Sequence, residues 1–226
     1  MTVATQGVLA VVATPIGNLE DVTLRALRVL RECDLVVAED TRRTRALLTA
    51  HGIARPLQSL PAFDEARRMP ALLQRLERGE TLALCTDAGT PGLSDPGARL
   101  ARAARAAGHA VIPIPGASAL TAALSASGLA ADSFVFLGFP PRTAAKLAHA
   151  MQQALELHRT IAFFESPLRL ARTLQLVSTL TGEREVVVAR ELTKLHETFH
   201  VGTAAQLAEQ FTAVPPRGEC TVLIAA

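Results

Sequence analysis

The sequence predicts an α/β protein built from two domains with mostly parallel sheets. Short apolar runs alternate with stretches of helical period, and most of the apolar runs lack polar alternation. Runs of that kind are typical of strands that are covered on both faces. With 226 residues and a hydrophobic share of 49%, the chain is long enough for one large domain or two small ones, each with its own core. Its charged share of 19% excludes a disordered or fibrous protein.

The apolar runs and the stretches between them define the predicted elements. The predicted strands are VLAVVA (8–13), DLVVAE (34–39), TLALC (81–85), AVIPI (110–114), FVFLG (134–138), TIAFFE (160–165), EVVVA (185–189), ETFHV (197–201) and TVLIA (221–225). The predicted helices cover 23–33, 41–52, 98–108, 118–128, 143–158, 166–182 and 203–211. A threonine start and Gly52 are capping signals for the second helix. The turn PIPGASA (113–119) predicts an N-terminal domain over 1–114 and a C-terminal domain over 115–226.

Net charge, cysteine content and apolar run length limit the possible partners and the cellular location of the protein. A net charge of +2 and a pI near 8.7 allow a nucleic-acid partner without requiring one. Cys33, Cys85 and Cys220 are far apart in apolar runs, and we expect buried free thiols in a reducing cytosol. The N-terminal apolar run lacks a basic start, which favours a buried strand over a signal peptide. No run approaches the roughly 18 apolar residues of a membrane helix.

Polar or glycine-rich segments follow several strands, where open α/β sheets place their ligand sites. They are TPIGN (14–18), EDTRRT (39–44), CTDAGTPGLSDPG (85–97) and PIPGASA (113–119). None contains a Walker A loop or a Gly-x-Gly-x-x-Gly motif. Pro91 and Pro96 stiffen the third segment, which favours a fixed concave backbone surface over a phosphate-wrapping loop. Asp87 and Asp95 can accept hydrogen bonds from a ligand there, or each can close a turn on its own backbone.

Acidic residues at strand ends have two interpretations. Glu39 and Asp40 either cap a helix or accept a proton, and Glu165 is either a cap or a ligand. A solvated loop is the commoner explanation for the charged cluster beyond the 185–189 strand. That cluster comprises Arg190, Glu191, Lys194, His196 and Glu197. The histidine spacing predicts no zinc site, and the Gly-x-Ser-x-Gly nucleophile turn is absent from the sequence.

Motifs along nearly the whole chain, from about residue 9 to 225, resemble one family. In order they are ATPIGNLEDVTLRAL, AEDTRRTRALL, TDAGTPGLSDPG, IPGASALTAALSASGL, GFPPR, FFESPLRL and ARELTKLHE. Together they closely resemble the ribosomal RNA small subunit methyltransferase I family of the tetrapyrrole methylase superfamily. The resemblance implies S-adenosylmethionine as methyl donor, held in a cleft between two α/β domains. It also implies a cytoplasmic homodimer that methylates the 2′-oxygen of a cytidine ribose in the decoding centre of small-subunit (16S) rRNA.

The resemblance also implies site residues. Matched by motif, the donor site is formed by Pro15, Ile16, Gly17, Asp87, Ala88, Gly89, Thr90, Pro91, Ser118, Ala119, Phe164, Ala189, Gly218, Glu219 and Thr221. The groups expected near the acceptor hydroxyl, as proton acceptors or hydrogen-bonding partners, are Glu39, Asp40 and Lys194. The residues expected to hold RNA phosphates are Arg42, Arg43, Arg45 and Arg190. A solvated helix face also explains the first three arginines. Because a sulfonium already carries an activated methyl group, positioning is the main task and no metal is required.

Some features depart from the family pattern. SLPAFDEARR (59–68) lacks the histidine and asparagine that relatives carry there, and Thr86 replaces a serine. Many relatives also extend past this C-terminus with a small helical module. Two other functions therefore stay open: methylation of a tetrapyrrole or another small molecule, and non-catalytic binding of RNA or a protein partner.

Overall fold

The chain forms two compact units in the computed structural model, which describes residues 6–93 and 97–226. The first unit ends at Ser118 and the second comprises Ala119–Ala226. This division and the predicted boundary after residue 114 lie in the same PIPGASA turn. Asp95 and Pro96, which the sequence singles out, lie outside the described residues.

The first unit is a parallel sheet with helices on both faces. Its elements are β1 (Val8–Val12), α1 (Leu24–Glu32), β2 (Leu35–Ala38), α2 (Thr41–Ala50), β3 (Leu57–Ser59), α3 (Glu65–Glu77), β4 (Thr81–Cys85), α4 (Ala98–Ala106) and β5 (Ala110–Ile114). Short 3₁₀ turns cover Leu19–Asp21 and Ala62–Asp64. Within the described residues the strand order is β3-β2-β4-β1-β5, and every pairing is parallel. The carboxyl ends of the strands therefore share one edge.

Alternate residues along the strands of the first unit point to opposite apolar layers. Val36 of β2 packs in a layer with Leu27 and Leu30 of α1. The next residue, Val37, packs in the other layer with Leu72 of α3. Burial on both faces explains why these strands read as continuous apolar runs, as the sequence predicts.

Two elements of the first unit are absent from the sequence prediction, β3 and α3. β3 is only 3 residues long and half-buried, so it carries little apolar signal. α3 contains Pro70 in its interior, where a proline removes a backbone hydrogen bond and breaks most helices. Burial of Leu72 and Leu76 in the core offsets this cost.

The second unit is also α/β, but its strand directions differ from the prediction. Its elements are α5 (Ala119–Ser127), β6 (Phe134–Phe136), α6 (Ala144–Leu155), β7 (Thr160–Glu165), α7 (Pro167–Thr181), β8 (Glu185–Arg190), β9 (Thr198–Thr203), α8 (Ala204–Ala213) and β10 (Cys220–Ile224). In this described range the order is β6-β7-β10-β8-β9. The pair β6–β7 is parallel, whereas β7–β10, β10–β8 and β8–β9 are antiparallel.

The expectation of mostly parallel sheets is therefore correct for the first unit and wrong for the second. A short loop without a helix joins β8 to β9, and such a connection permits only an antiparallel pair. β10 lies between β7 and β8 and runs against both. Burial on both faces produces the same apolar runs whatever the strand direction, so the runs do not encode it.

The cysteines are free and buried, as the sequence predicts. Burial raises the pKa of the Cys33 and Cys220 thiols to about 11 and that of Cys85 to about 12. These thiols therefore stay protonated and unreactive near neutral pH.

None of the helices in the described ranges is long and apolar enough to cross a membrane. The same ranges contain no group of three or more His, Cys, Asp or Glu side chains arranged to hold a metal ion.

Candidate active site

Backbone hydrogen bonds join the loops at the carboxyl edge of the first sheet. Thr14, directly after β1, forms an antiparallel bridge with Gly89, in which the two N–H groups donate across it at 2.9 and 3.0 Å. The Thr14 hydroxyl also donates to the Thr86 carbonyl at 3.2 Å. The first and third loops predicted from the sequence are therefore a single backbone surface. We call residues 13–17, 39–44 (which include the first turn of α2), 86–91 and 115–118 the N-terminal loop cluster.

Glycine allows the chain segments of the N-terminal loop cluster to approach closely. Gly89 has a φ of +82°, and a Cβ there would lie 3.3 Å from Cγ2 of Ile16. A Cβ on Gly116 would lie 3.0 Å from the Cβ of Ala13. The Thr90 hydroxyl donates to the Ala117 carbonyl at 3.2 Å, which adds the fourth loop. These contacts join the first, third and fourth loops into one surface, which we call the backbone shelf. The predicted stiffening by Pro91 and Pro96 stays a prediction, because Pro96 lies outside the described residues.

Asp87 attaches the second loop to this shelf. Its Oδ1 accepts a hydrogen bond from the Asp40 N–H at 2.9 Å, and its Oδ2 lies 3.6 Å from Nε of Arg43. Asp40 in turn caps α2 by accepting from the Arg42 N–H at 2.9 Å. Asp87 is thus more than a turn residue, because its carboxylate holds the start of α2 beside the third loop.

The adjacent carboxyl groups of Glu39 and Asp40 have opposite electrostatic environments. Hydrogen bonds from the Arg42 side chain and backbone lower the pKa of Asp40 to about 2. Burial, and then the charge of Asp87, raise the pKa of Glu39 above its ordinary value. A carboxylate with a raised pKa is the better proton acceptor, so the pair divides into a capping residue and a general-base candidate.

A cavity of about 100 Å³ lies against the N-terminal loop cluster. It is lined by Thr14, Pro15, Leu19, Arg43, Thr44, Ala46, Leu47, Thr86 and Asp87. It brings residues predicted for donor binding (Pro15, Asp87) together with one predicted for RNA binding (Arg43). Thr44 also lines the cavity, although the sequence marks it only as the last residue of the EDTRRT segment.

In the second unit, strand register brings distant motifs side by side. Thr221 of β10 pairs with Phe164 of β7 on one side and with Ala189 of β8 on the other. The Phe164 ring packs against Phe136 at 5.0 Å and Phe139 at 5.6 Å between centroids. Three residues predicted for donor binding therefore form one row across the sheet.

Beyond this row, Lys194 is held between two carboxylates. Its Nζ lies 2.8 Å from Oε1 of Glu191 and 3.0 Å from Oε2 of Glu219. Burial acts to lower the pKa of Lys194, but hydrogen bonds to the two glutamates outweigh it, and the pKa is raised. Lys194 is therefore a fixed cation near neutral pH and does not accept protons there. We call Glu191, Lys194 and Glu219 the carboxylate clamp.

Backbone conformation around the carboxylate clamp is unusual. Glu191 and Thr193 adopt positive φ angles of 53° and 65°, which cost energy in residues with a side chain. Gly218 has a φ of +84°, and a Cβ there would lie 2.1 Å from Cδ of Glu191. The glycine at 218 is thus required by both its conformation and the adjacent glutamate.

The arginines predicted to bind RNA have different surroundings. Arg42, Arg43 and Arg45 are exposed on α2. Arg190 instead donates to the Arg217 and His196 carbonyls, each at 3.0 Å, and to the Thr198 hydroxyl at 3.1 Å. Its guanidinium holds the loop after β8 in place, so its role toward phosphate stays a prediction.

The side chain of Glu165 is buried and its hydrogen bonds are to neighbouring protein groups. Its buried carboxylate accepts from the Ser166 N–H and the Thr173 hydroxyl, each at 2.7 Å. It also lies 3.1 Å from the guanidinium of Arg169, which donates to the Pro140 carbonyl. Of the two interpretations from the sequence, the cap is the one that the contacts favour.

The chain is similar to proteins of known family. A family model described as Tetrapyrrole (Corrin/Porphyrin) Methylases matches residues 8–208. "Ribosomal RNA small subunit methyltransferase I" of Thermotoga maritima is 44% identical over 219 residues, covering 96% of this chain and 98% of the relative. The protein of the same name from Pseudomonas aeruginosa is 47% identical over 222 residues, covering 97% of this chain and 79% of the relative.

Solved structures share the fold at low sequence identity. A cobalt precorrin-4 methyltransferase superposes with a TM-score of 0.71 at 16% identity, covering 98% of this chain and 95% of that one. A diphthine synthase superposes with a TM-score of 0.72 at 15% identity, covering 96% and 90%. With the relatives above, these matches show that the chain belongs to the ribosomal RNA small subunit methyltransferase I family of tetrapyrrole methylases.

Proposed function

We propose that the chain transfers a methyl group from S-adenosylmethionine to the 2′-oxygen of a cytidine ribose in the decoding centre of small-subunit (16S) rRNA. The observation that carries this proposal is the 44 to 47% identity, over nearly the whole chain, to relatives named for small-subunit rRNA. The structural neighbours whose titles name tetrapyrrole substrates are only 16 to 20% identical to this chain, so they support a shared fold and carry no argument about the acceptor.

The donor-binding proposal rests on the fit of the residues present. In the first unit, the backbone shelf around Gly89 offers half-buried positions at Ala88 and Thr90, beside Pro15, Ile16 and Gly17. In the second unit, the half-buried Phe164 ring, flanked by aromatic neighbours, fits the flat ring of a nucleoside. We assign the further donor contacts to Asp87, Gly89, Pro91, Ser118, Ala119, Ala189, Gly218, Glu219 and Thr221.

The acceptor chemistry is assigned to Glu39. Bound S-adenosylmethionine supplies a methyl group activated by its sulfonium. On methyl transfer the ribose 2′-oxygen would exchange its proton for the methyl group, with the thioether as the leaving group, and the Glu39 carboxylate would take up that proton. The raised pKa of Glu39 suits it to accept this proton, whereas Asp40, with a pKa of about 2, is a weak base.

The RNA contacts and the assembly belong to the same proposal. Arg42, Arg43 and Arg45 are exposed on one helix whose first turn adjoins Glu39, so they suit phosphate groups near the acceptor. In the second unit, Arg190 is the proposed phosphate contact, since its guanidinium is hydrogen-bonded to carbonyl and hydroxyl oxygens and to no carboxylate of the described residues. Lys194 is held by Glu191 and Glu219 and is assigned a hydrogen bond near the acceptor. We also propose a homodimer, and a cytoplasmic location where a bacterial rRNA substrate is found.

Methyl transfer to ribosomal subunits tests the proposed function. The protein is incubated with labelled S-adenosylmethionine and 30S subunits from a strain that lacks the modification, and the label is mapped. We expect label on the 2′-oxygen of one cytidine. Tight donor binding without transfer to RNA would contradict the proposal.

A further inference from the structure

Thr44 carries a buried hydroxyl without a partner. The residue is 3% exposed, and its Oγ1 has no hydrogen-bond partner among the described residues. Buried polar groups are nearly always hydrogen-bonded, because an unpaired one loses its hydration without compensation. In a helix, a threonine hydroxyl can donate to the carbonyl four residues earlier, here Asp40. That carbonyl accepts from the Thr44 N–H at 3.3 Å, and the Thr44 hydroxyl makes no second hydrogen bond to it.

The cavity beside Thr44 is sized for part of a ligand. Its volume of about 100 Å³ is smaller than the roughly 300–1,000 Å³ of pockets that hold whole small molecules. Its lining combines the polar residues Thr14, Thr44 and Thr86 with the apolar residues Leu19 and Leu47. A small ring with hydroxyl groups matches both the volume and the mixed lining.

The charged groups at the cavity are already paired. Asp87 accepts from the Asp40 N–H and lies 3.6 Å from the Arg43 guanidinium. The Thr14 hydroxyl donates to the Thr86 carbonyl. A charged ligand would have to displace one of these contacts, whereas a neutral hydroxyl needs only the unpaired Thr44 oxygen. A hydroxyl can both donate and accept, so it complements a threonine in either orientation.

The cavity and Glu39, the residue assigned as proton acceptor, share the neighbour Asp87, whose carboxylate accepts from the N–H of Asp40, the residue after Glu39. Asp87 lines the cavity, and its charge is one of the causes that raise the pKa of Glu39. A sugar in the cavity would therefore present its hydroxyls close to the carboxylate assigned as general base.

We propose that this cavity is the subsite for the acceptor ribose and that Thr44 hydrogen-bonds a ribose hydroxyl there. The inference rests on the proposed function, since it names the residue that recognises the sugar of that RNA. In the free protein the Thr44 hydroxyl is unpaired, and in the complex it would form a hydrogen bond to the substrate.

Thr44→Val tests the subsite, with Thr44→Ser and Thr49→Val as controls. Valine has the shape of threonine without the hydroxyl, serine keeps the hydroxyl, and Thr49 lies exposed on the same helix. The readouts are the melting temperature, the donor Kd, and the kcat and KM for methyl transfer to 30S subunits. For Thr44→Val we expect a melting temperature higher by about 2–4 °C, because an unpaired buried hydroxyl is removed. We expect its KM for 30S subunits to rise about three- to tenfold, with an unchanged donor Kd.

The controls and the remaining outcomes separate the alternatives. Thr44→Ser should keep KM within about twofold of the unchanged protein, and Thr49→Val should change neither KM nor donor Kd. A Thr44→Val protein with unchanged KM would overturn the inference alone, since water would then be the occupant of the cavity. A weaker donor Kd with unchanged KM would also overturn it, in favour of the donor as occupant. Absence of transfer by the unchanged protein would contradict the proposed function and the inference with it.

Discussion

The two units build their candidate sites in different ways. In the first unit, loops at one sheet edge are joined by backbone bonds such as the Thr14–Gly89 bridge, and the loop sequence itself carries the shape. In the second unit, strand register places Phe164, Thr221 and Ala189 side by side, although each residue type alone is unremarkable. A site built from loops can be predicted from sequence motifs. A site built by the pairing of strands can be recognised only once the order and register of those strands are known.

The units also differ in the electrostatic environment of their acidic residues. The first unit leaves Glu39 with a raised pKa beside a capping Asp40. In the second unit the charges of the carboxylate clamp are paired with one another, because Lys194 lies between Glu191 and Glu219. We infer that proton transfer belongs to the first unit and that the second supplies shape and fixed charge.

The largest expected effect comes from Glu39→Gln. Glutamine keeps the size of the side chain but cannot accept the ribose proton, so kcat should fall by about 10²–10⁴-fold with little change in donor Kd. Single-turnover methyl transfer to 30S subunits is the measurement. Asp40→Asn is the matched control, because asparagine caps a helix about as well as aspartate.

Retention of kcat within about tenfold is expected for Asp40→Asn, since Asp40 acts as a cap and not as a base. Equal losses in the two variants would show that the pair does not divide into a base and a cap. A greater loss in Asp40→Asn would move the general base to Asp40.

A smaller effect, on stability, is expected from Gly218→Ala compared with Gly92→Ala. Both glycines have a φ of +84°, so each alanine bears a similar left-handed cost of about 1–2 kcal/mol. A Cβ at 218 meets Cδ of Glu191 at 2.1 Å, while a Cβ at 92 meets nothing within 4 Å. Gly218→Ala should therefore melt at least about 2–4 °C below Gly92→Ala in thermal unfolding, because it also disturbs the carboxylate clamp. Equal melting temperatures would mean that Glu191 moves aside freely.

The sequence predicts most elements because each signal is local. Apolar runs identify the strands, and Gly52, with a φ of +64°, marks the end of α2 as predicted. The predicted threonine cap is wrong, because the N-cap of α2 is Asp40 and Thr41 is already helical. α3 escapes prediction because Pro70 contradicts its helical pattern, and only the burial of Leu72 and Leu76 reveals why the helix persists. The direction of β10 cannot be predicted from the sequence, because it depends on the strands with which β10 pairs, and no local residue pattern determines that pairing.

For the candidate site, the sequence and its family resemblance predict residues and broad roles, but they do not separate the roles of neighbouring residues. Glu39 and Asp40 are both carboxylic acids, and the sequence does not distinguish their roles. In the structure, burial and Asp87 raise the pKa of Glu39, whereas Arg42 lowers the pKa of Asp40. Asp87 has alternative roles as ligand or turn residue in the sequence, and the structure adds a third, the anchor of α2. Thr44 gives no sign in the sequence because a missing partner is a property of three-dimensional packing.

The pH dependence of methyl transfer tests most directly whether Glu39 is the proton acceptor. The rate should fall on acidification as Glu39 becomes protonated, with a midpoint above the ordinary glutamate pKa of 4.5, because burial and Asp87 raise it. Asp87→Asn removes one raising charge and should move this acid limb to lower pH. Arg43→Gln removes a lowering charge and should move it to higher pH. Shifts in these opposite directions are the predicted result, and an acid limb that stays in place in both variants would contradict the account.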